Sequence, residues 1–262
     1  MQYIFIQMAT KINNLLREHP EEVVFFSSFL ASKGITRAEQ IAYVRSGWLE
    51  RMVQGVYKKS GCTPGLEQVV NAYNGQLGKH CWFGAMTSLD FRGLTHYLPM
   101  GKTMAYLFTP YAERLPLWIV NGNWNMTVRY RTTSVFTDRP GHFSDFVANG
   151  TQLHTSVPER AALESLLLVP EYTSWMDVFN TFESLTTLRP QVLQELLEGC
   201  SNVRIKRMFL FMAGKLGYSW FSALDRSRIN IGRGLRNLSY GEKGKYVREY
   251  DMIVPEELYN YE

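Results

Sequence analysis

The chain is poor in cysteine and has no long apolar run. Its three cysteines, Cys62, Cys81 and Cys200, are an odd number without a CxxC spacing. That excludes a disulfide framework and a cysteine-rich zinc site and leaves three reduced thiols. Wholly apolar runs such as Met208–Ala213 fall far short of the ~20 residues a bilayer-spanning helix needs. The apolar Tyr3–Ile6 stretch has no positive region ahead of it and is too short for a signal-peptide core. The expected location is the cytoplasm, with no membrane partner. Catalytic signatures are also missing. There is no GxxxxGK[ST] phosphate loop, GxSxG elbow, HExxH helix, or GxGxxG after a strand. His80 beside Cys81 has no second pair at ligand spacing, so no metal site and no cofactor are expected. The Gly232-Arg233-Gly234 triplet suits a bulge better than a phosphate cradle.

Of the 262 residues, 45% are apolar, 14% aromatic and 20% charged. This supplies real cores and is too little charge for a disordered chain. The length implies about two or three compact units. The net charge of +4 hides an uneven distribution. Residues 151–200 hold two Lys/Arg against seven Asp/Glu, whereas residues 201–250 hold eleven against three. A basic block of this kind points to an anionic partner.

Residues 10–60 have the pattern of a helix-turn-helix with a short wing. A helix is predicted over Val23 to Lys33, closed by Gly34. Thr36 and Glu39 then form a Thr-x-x-Glu capping box that opens a second helix running to about Ser46, with Gly47 as its stop. Ala38, Ile41 and Ala42 are predicted to pack inward, with Arg37, Gln40 and Val44 on another face. Trp48–Val53 and Val56–Lys59 have strand composition and meet across Gln54-Gly55. Such a second helix fits a major groove, where its N-terminal residues reach base edges. The DNA-binding residues are expected to be Thr36, Arg37 and Gln40 on the helix, and Arg51, Lys58 and Lys59 as phosphate contacts on the wing. Winged helices also serve as protein docking modules. Glu39 has its capping role, while the sequence gives none for Glu50.

The remainder reads as α+β. Helices are predicted over residues 66–77 and 84–92, then strands over 103–109 and 126–131, with turn chemistry at Asp138–Gly141 that marks a candidate boundary. Helical patterns follow from Pro158 and over 174–186, 190–198 and 202–216, and a terminal hairpin is predicted to pair 229–238 with 245–254. The expected units are a winged helix at 1–60, an α+β region at 61–150, and a helical segment with a basic hairpin at 151–262. The basic surface comprises Arg204, Lys206, Arg207, Lys215, Arg226, Arg228, Arg233, Arg236, Lys243, Lys245 and Arg248, interleaved with Tyr218, Trp220, Tyr240 and Tyr246. That composition suits the phosphates and stacked bases of RNA or DNA. A solvated face neutralised by the acidic 151–200 segment is the alternative.

Leu30–Thr36 followed by Val44–Tyr57 resembles the winged-helix opening of the AbiEi family of antitoxins, most recognisably in Gly47-Trp48-Leu49-Glu50-Arg51 and Gly55-Val56-Tyr57. Gly84–Leu89 through Gly93-Leu94, Val157–Glu164, and the Trp220–Pro255 tail look like that family's later segments. The resemblance covers residues 23 to 258 and implies a type IV antitoxin of a bacterial toxin–antitoxin or abortive-infection operon. On that resemblance the N-terminal domain represses its own promoter by binding operator DNA. The C-terminal region neutralises a nucleotidyltransferase-like toxin without requiring a stable complex. The competing reading is a stand-alone transcriptional regulator whose C-terminal region dimerises or senses a ligand. An enzyme on nucleic acid is disfavoured, because no carboxylate or histidine cluster has a recognisable spacing.

Overall fold

The computed structural model describes residues 11–95, 102–148 and 150–261, so the Tyr3–Ile6 run lies outside the described residues. Residues 11–18 are helical (α1). The predicted helix from Val23 divides: Val24–Phe26 is a strand (β1), and the helix proper is Ser27–Ser32 (α2). The β-branched and aromatic run at this point suits a pleated surface. Strand β1 pairs antiparallel with Val56–Lys59 (β3), which pairs in turn with Leu49–Val53 (β2). Between them lies Arg37–Arg45 (α3), opened by the Thr36–Glu39 capping box. Gly34 and Gly55 both have φ near +76, a conformation that favours glycine in the turns before α3 and between the wing strands.

The small sheet β1-β3-β2 separates two cores, because successive side chains point to opposite faces. Phe25, Leu49 and Tyr57 face Ile12, Leu15, Leu30, Ile35 and Tyr43 of the helical layer. Val24, Phe26 and Val56 face the other way, against Leu66–Leu77 (α4) and a second sheet. Gln76 of α4 accepts a hydrogen bond from the Phe26 amide at 2.8 Å and donates one to Val24 O at 2.7 Å. Residue 60 therefore ends the wing but does not end its core.

The second sheet holds Trp82–Phe83 (β4), Met104–Pro110 (β5), Thr127–Thr133 (β6), Phe143–Ala148 (β7) and Thr151–Ser156 (β8) in the order β6-β5-β4-β8-β7. β5 runs parallel to β6 and β4 parallel to β8, while β4–β5 and β7–β8 are antiparallel. The expected break at residue 150 falls inside the β7–β8 hairpin and is not a boundary. Phe83, Ala105, Leu107, Val128 and Leu153 pack toward α4, and Trp82, Tyr106 and Phe108 toward Ala85–Phe91 (α5) and Pro158–Leu167 (α7). Leu117–Val120 (α6) caps the α4 side through Ile119.

On the α7 side, Trp175–Phe182 (α8), Pro190–Gly199 (α9), Val203–Leu216 (α10) and Ser219–Ser222 (α11) complete a helical layer. The terminal hairpin differs from expectation. Gly244–Val247 (β10) and Met252–Pro255 (β11) pair antiparallel, and Arg236–Asn237 (β9) joins parallel to β11 before Glu256–Asn260 (α12). Residues 229–235 are not a strand; the Ile231 and Gly234 carbonyls accept hydrogen bonds from a buried arginine, described below.

Two sequence motifs meet in the core. The Glu164 carboxylate accepts hydrogen bonds from Trp82 Nε1 (2.9 Å), Arg160 Nε (2.7 Å), the Ala85 amide (3.0 Å) and Ser156 Oγ (2.6 Å). Arg160 also pairs with Asp138 at 2.6 Å, and its guanidinium lies 4.3 Å from the Phe143 ring centroid and 5.0 Å from that of Trp82. Gly84 is required beside this group, since a Cβ would strike Glu164 and Phe108. Burying two charges is tolerated only when both are paired and hydrogen-bonded, as here. Asp138, within the expected boundary turn, is thereby bound to the core.

Candidate nucleic-acid interface

Helix α3 is rotated relative to the expected phase. Its buried residues are Gln40 and Tyr43, 1% and 2% exposed, while Ile41 is 44% exposed. Gln40 Oε1 accepts from Ser27 Oγ at 2.6 Å, and its Nε2 donates to Ser27 O and Ile35 O, both at 3.1 Å. A buried amide with its donors and acceptor satisfied costs little, so Gln40 locks α3 against α2. The expected base contact by Gln40 is therefore corrected: this side chain cannot reach a groove.

At about 100° per residue, Ala38, Ile41 and Arg45 lie on the side away from Gln40 and Tyr43, Arg37 borders them on the Gln40 side, and all four are exposed to solvent as one stripe. Arg37 makes a 3.3 Å bond to Ser27 Oγ, and among the described residues Arg45 has no ion-pair partner. Thr36 is exposed at the helix start, its hydroxyl engaged in the capping box. The acid of α3 is turned away: Glu39 pairs with Lys11 at 2.9 Å. Burial alone would raise the Glu39 carboxyl, but hydrogen bonds from Lys11 and from the Thr36 amide and hydroxyl hold it below its ordinary value.

Glu50 also has a structural task. It accepts from the Gly61 amide (2.9 Å) and Ser60 Oγ (3.0 Å) and pairs with Lys58 at 2.9 Å. These bonds, the Gly61 amide first, lower its carboxyl to about 2. Lys58 is thus occupied by Glu50 and by Cys62 O, while Arg51 is exposed and Lys59 half-buried on the wing, neither in an ion pair among the described residues. Arg45 and Ile41 escaped the sequence reading because the helix phase was set by Ile41 as an inward residue; Arg45, eight residues after Arg37, was the available signal.

The basic block of residues 201–250 does not present all of its cations to solvent. Arg207 is 1% exposed and donates to Ile231 O (2.8 Å), Gly234 O (2.8 Å) and Asp251 O (2.7 Å); Lys206 is buried as well. Both expected surface contacts are corrected: the arginine holds the 229–235 loop by its carbonyls. Arg204 bonds Val169 O and Tyr240 Oη, and Lys215 bonds Tyr259 O. Arg226 pairs with Glu249, Arg228 with Glu198, and both Lys243 and Lys245 with Glu256. Of these acids only Glu198 belongs to the acidic 151–200 segment. Arg233, Arg236 and Arg248 stay exposed and outside ion pairs among the described residues, near exposed Leu235 and Tyr246. Tyr218 and Trp220 are drawn inward, donating to Glu183 O and Leu185 O.

No helix among the described residues is long and apolar enough to cross a membrane, and no group of three or more metal-ligating side chains occurs among them. In fold the chain is similar to the crystal structure of the RV2827C protein from Mycobacterium tuberculosis, with a TM-score of 0.61 at 17% identity, over 95% of this chain and 91% of that one. No curated protein matches the chain. Residues 8–100 match the family described as transcriptional regulator, AbiEi antitoxin N-terminal domain, and residues 102–255 match that described as transcriptional regulator, AbiEi antitoxin, type IV toxin–antitoxin system. With the winged helix in the first segment and the layered α+β region in the second, the chain belongs to the AbiEi family of antitoxin transcriptional regulators of type IV toxin–antitoxin systems.

Proposed function

We propose that the protein represses its own operon by laying α3 in the major groove of operator DNA, and that its C-terminal half neutralises a nucleotidyltransferase-like toxin. The observation that carries the first part is the solvent stripe of Arg37, Ala38, Ile41 and Arg45, from which both nearby acids are withdrawn into structural bonds. Arg37 and Arg45 serve bases or phosphates at the two ends of the helix, and Arg51 and Lys59 hold phosphates from the wing. For the second part, Arg233, Arg236 and Arg248 are the cations of the block left for an acidic toxin surface or for RNA.

One experiment with two reciprocal variants tests both parts, using the full-length chain, a reporter from its own promoter, and co-expression with a neighbouring nucleotidyltransferase-like gene. Arg37→Ala with Arg45→Ala should abolish repression and preserve growth rescue. Arg233→Glu with Arg248→Glu should preserve repression and lower rescue. Loss of both activities in either variant would refute this division of labour.

A further inference from the structure

Helix α3 carries an inversion: its glutamine is buried and fully hydrogen-bonded, while its bulkiest aliphatic side chain, Ile41, projects from the middle of the opposite stripe. Ile41 lies between Arg37 and Arg45, one turn from each, with the Ala38 methyl beside it. No acid lies on this stripe. The base edges of a major groove offer hydrogen-bonding atoms and a single kind of apolar group, the C5-methyl of thymine. Cytosine and both purines have no equivalent. The arginines at either end set where the helix sits on the backbone, which brings the aliphatic centre down on base edges rather than on phosphates.

We propose that Ile41, assisted by Ala38, is a specificity-determining residue that reads thymine methyl groups at the centre of the recognition element. This rests on the operator-binding reading above and gives it a base preference. Removing one contacted methyl should weaken binding roughly fourfold, the factor expected for one methyl group returned to water.

The test compares two versions of the double-stranded DNA upstream of the gene for this chain, made with thymidine or with deoxyuridine, which lacks only the C5-methyl. The wild-type chain should bind the uracil probe roughly fourfold or more weakly. The Ile41→Ala chain should bind the thymine probe more weakly than wild type does and distinguish the two probes by a clearly smaller factor. Arg37→Ala should weaken both probes and keep their ratio. Alanine is a better helix former than isoleucine and Ile41 is exposed, so the variant should melt no lower than wild type, which thermal unfolding checks. Equal wild-type binding to both probes would overturn the assignment, and so would an undiminished preference in Ile41→Ala. In either case operator binding itself would stand. Failure of the wild-type chain to prefer the thymine probe over unrelated DNA would instead overturn the operator reading, and this assignment with it.

Discussion

The winged helix and the 201–250 block look alike by charge and differ in what the fold does with it. In the winged helix the acids of α3 and the wing are occupied: Glu39 closes a capping box and Glu50 ties down the Ser60–Gly61 turn, so Arg37 and Arg45 are left exposed. In the C-terminal block the cations are occupied. Arg207 serves three carbonyls, and Arg226, Arg228, Lys243 and Lys245 are in ion pairs. Of the eleven cations in the block with the larger positive excess, only Arg233, Arg236 and Arg248 are exposed and outside the ion pairs and carbonyl bonds described above. Charge counted along a sequence measures supply, and availability is decided by which partner folds against each group.

The sharpest way to break this contrast is at Arg207. Replacing it with methionine leaves three inward carbonyls without a donor and should cost on the order of 3–5 kcal/mol, read as a lower denaturant midpoint. Arg233→Ala in the same block should stay within about 0.5 kcal/mol of wild type. Equal effects would mean that Arg207 is as dispensable as a surface charge. At Gln40 the expected loss is smaller. Gln40→Ala removes the bonds to Ser27 and Ile35 and should cost about 1–3 kcal/mol, while operator affinity per folded molecule stays unchanged. A selective loss of affinity for the operator over random DNA would restore Gln40 as a base-reading residue.

Much of the scaffold was legible in the sequence, and the reasons vary by element. The Thr36–Glu39 box, Pro158 at the start of α7, and the apolar stripe of α10 are local signals, written within a few residues of the structure they produce. The phase of α3 was not legible. Hydrophobicity placed Ile41 inward and Gln40 outward, but the Gln40 partners lie on α2 and on the preceding turn, so only tertiary contact makes a buried amide favourable. Arg160 and Glu164 follow the same rule: their burial is made favourable by Trp82, Ala85, Asp138 and Ser156, which arrive from other segments. The parallel pairings of β4 with β8 and of β9 with β11 carry no turn signal, because parallel neighbours are not joined by hairpins.

The smallest expected effect concerns Glu50 and depends on pH. Its carboxyl falls from an ordinary 4.5 to about 2 in the folded chain. A depressed carboxyl stabilises the fold fully above the unfolded-state value, and that contribution fades as pH falls from 4.5 toward 2. Wild type should therefore melt above Glu50→Gln at pH 7, and the gap should narrow on acidification across that window. A gap that is constant with pH would show that the ionised form is not what holds the turn.

The wing sheet has Phe25 and Tyr57 on one side and Val24, Phe26 and Val56 on the other, in a core completed only by residues as distant as Leu153. A fragment ending after the wing would expose that second side to water, so the winged helix is completed as a fold only by the half that follows it. On the proposed division of labour, cleavage after the wing is expected to remove repressor and antitoxin together. On that reading no severed repressor is left to keep the operon silent after protection is lost, and promoter occupancy is expected to report intact antitoxin.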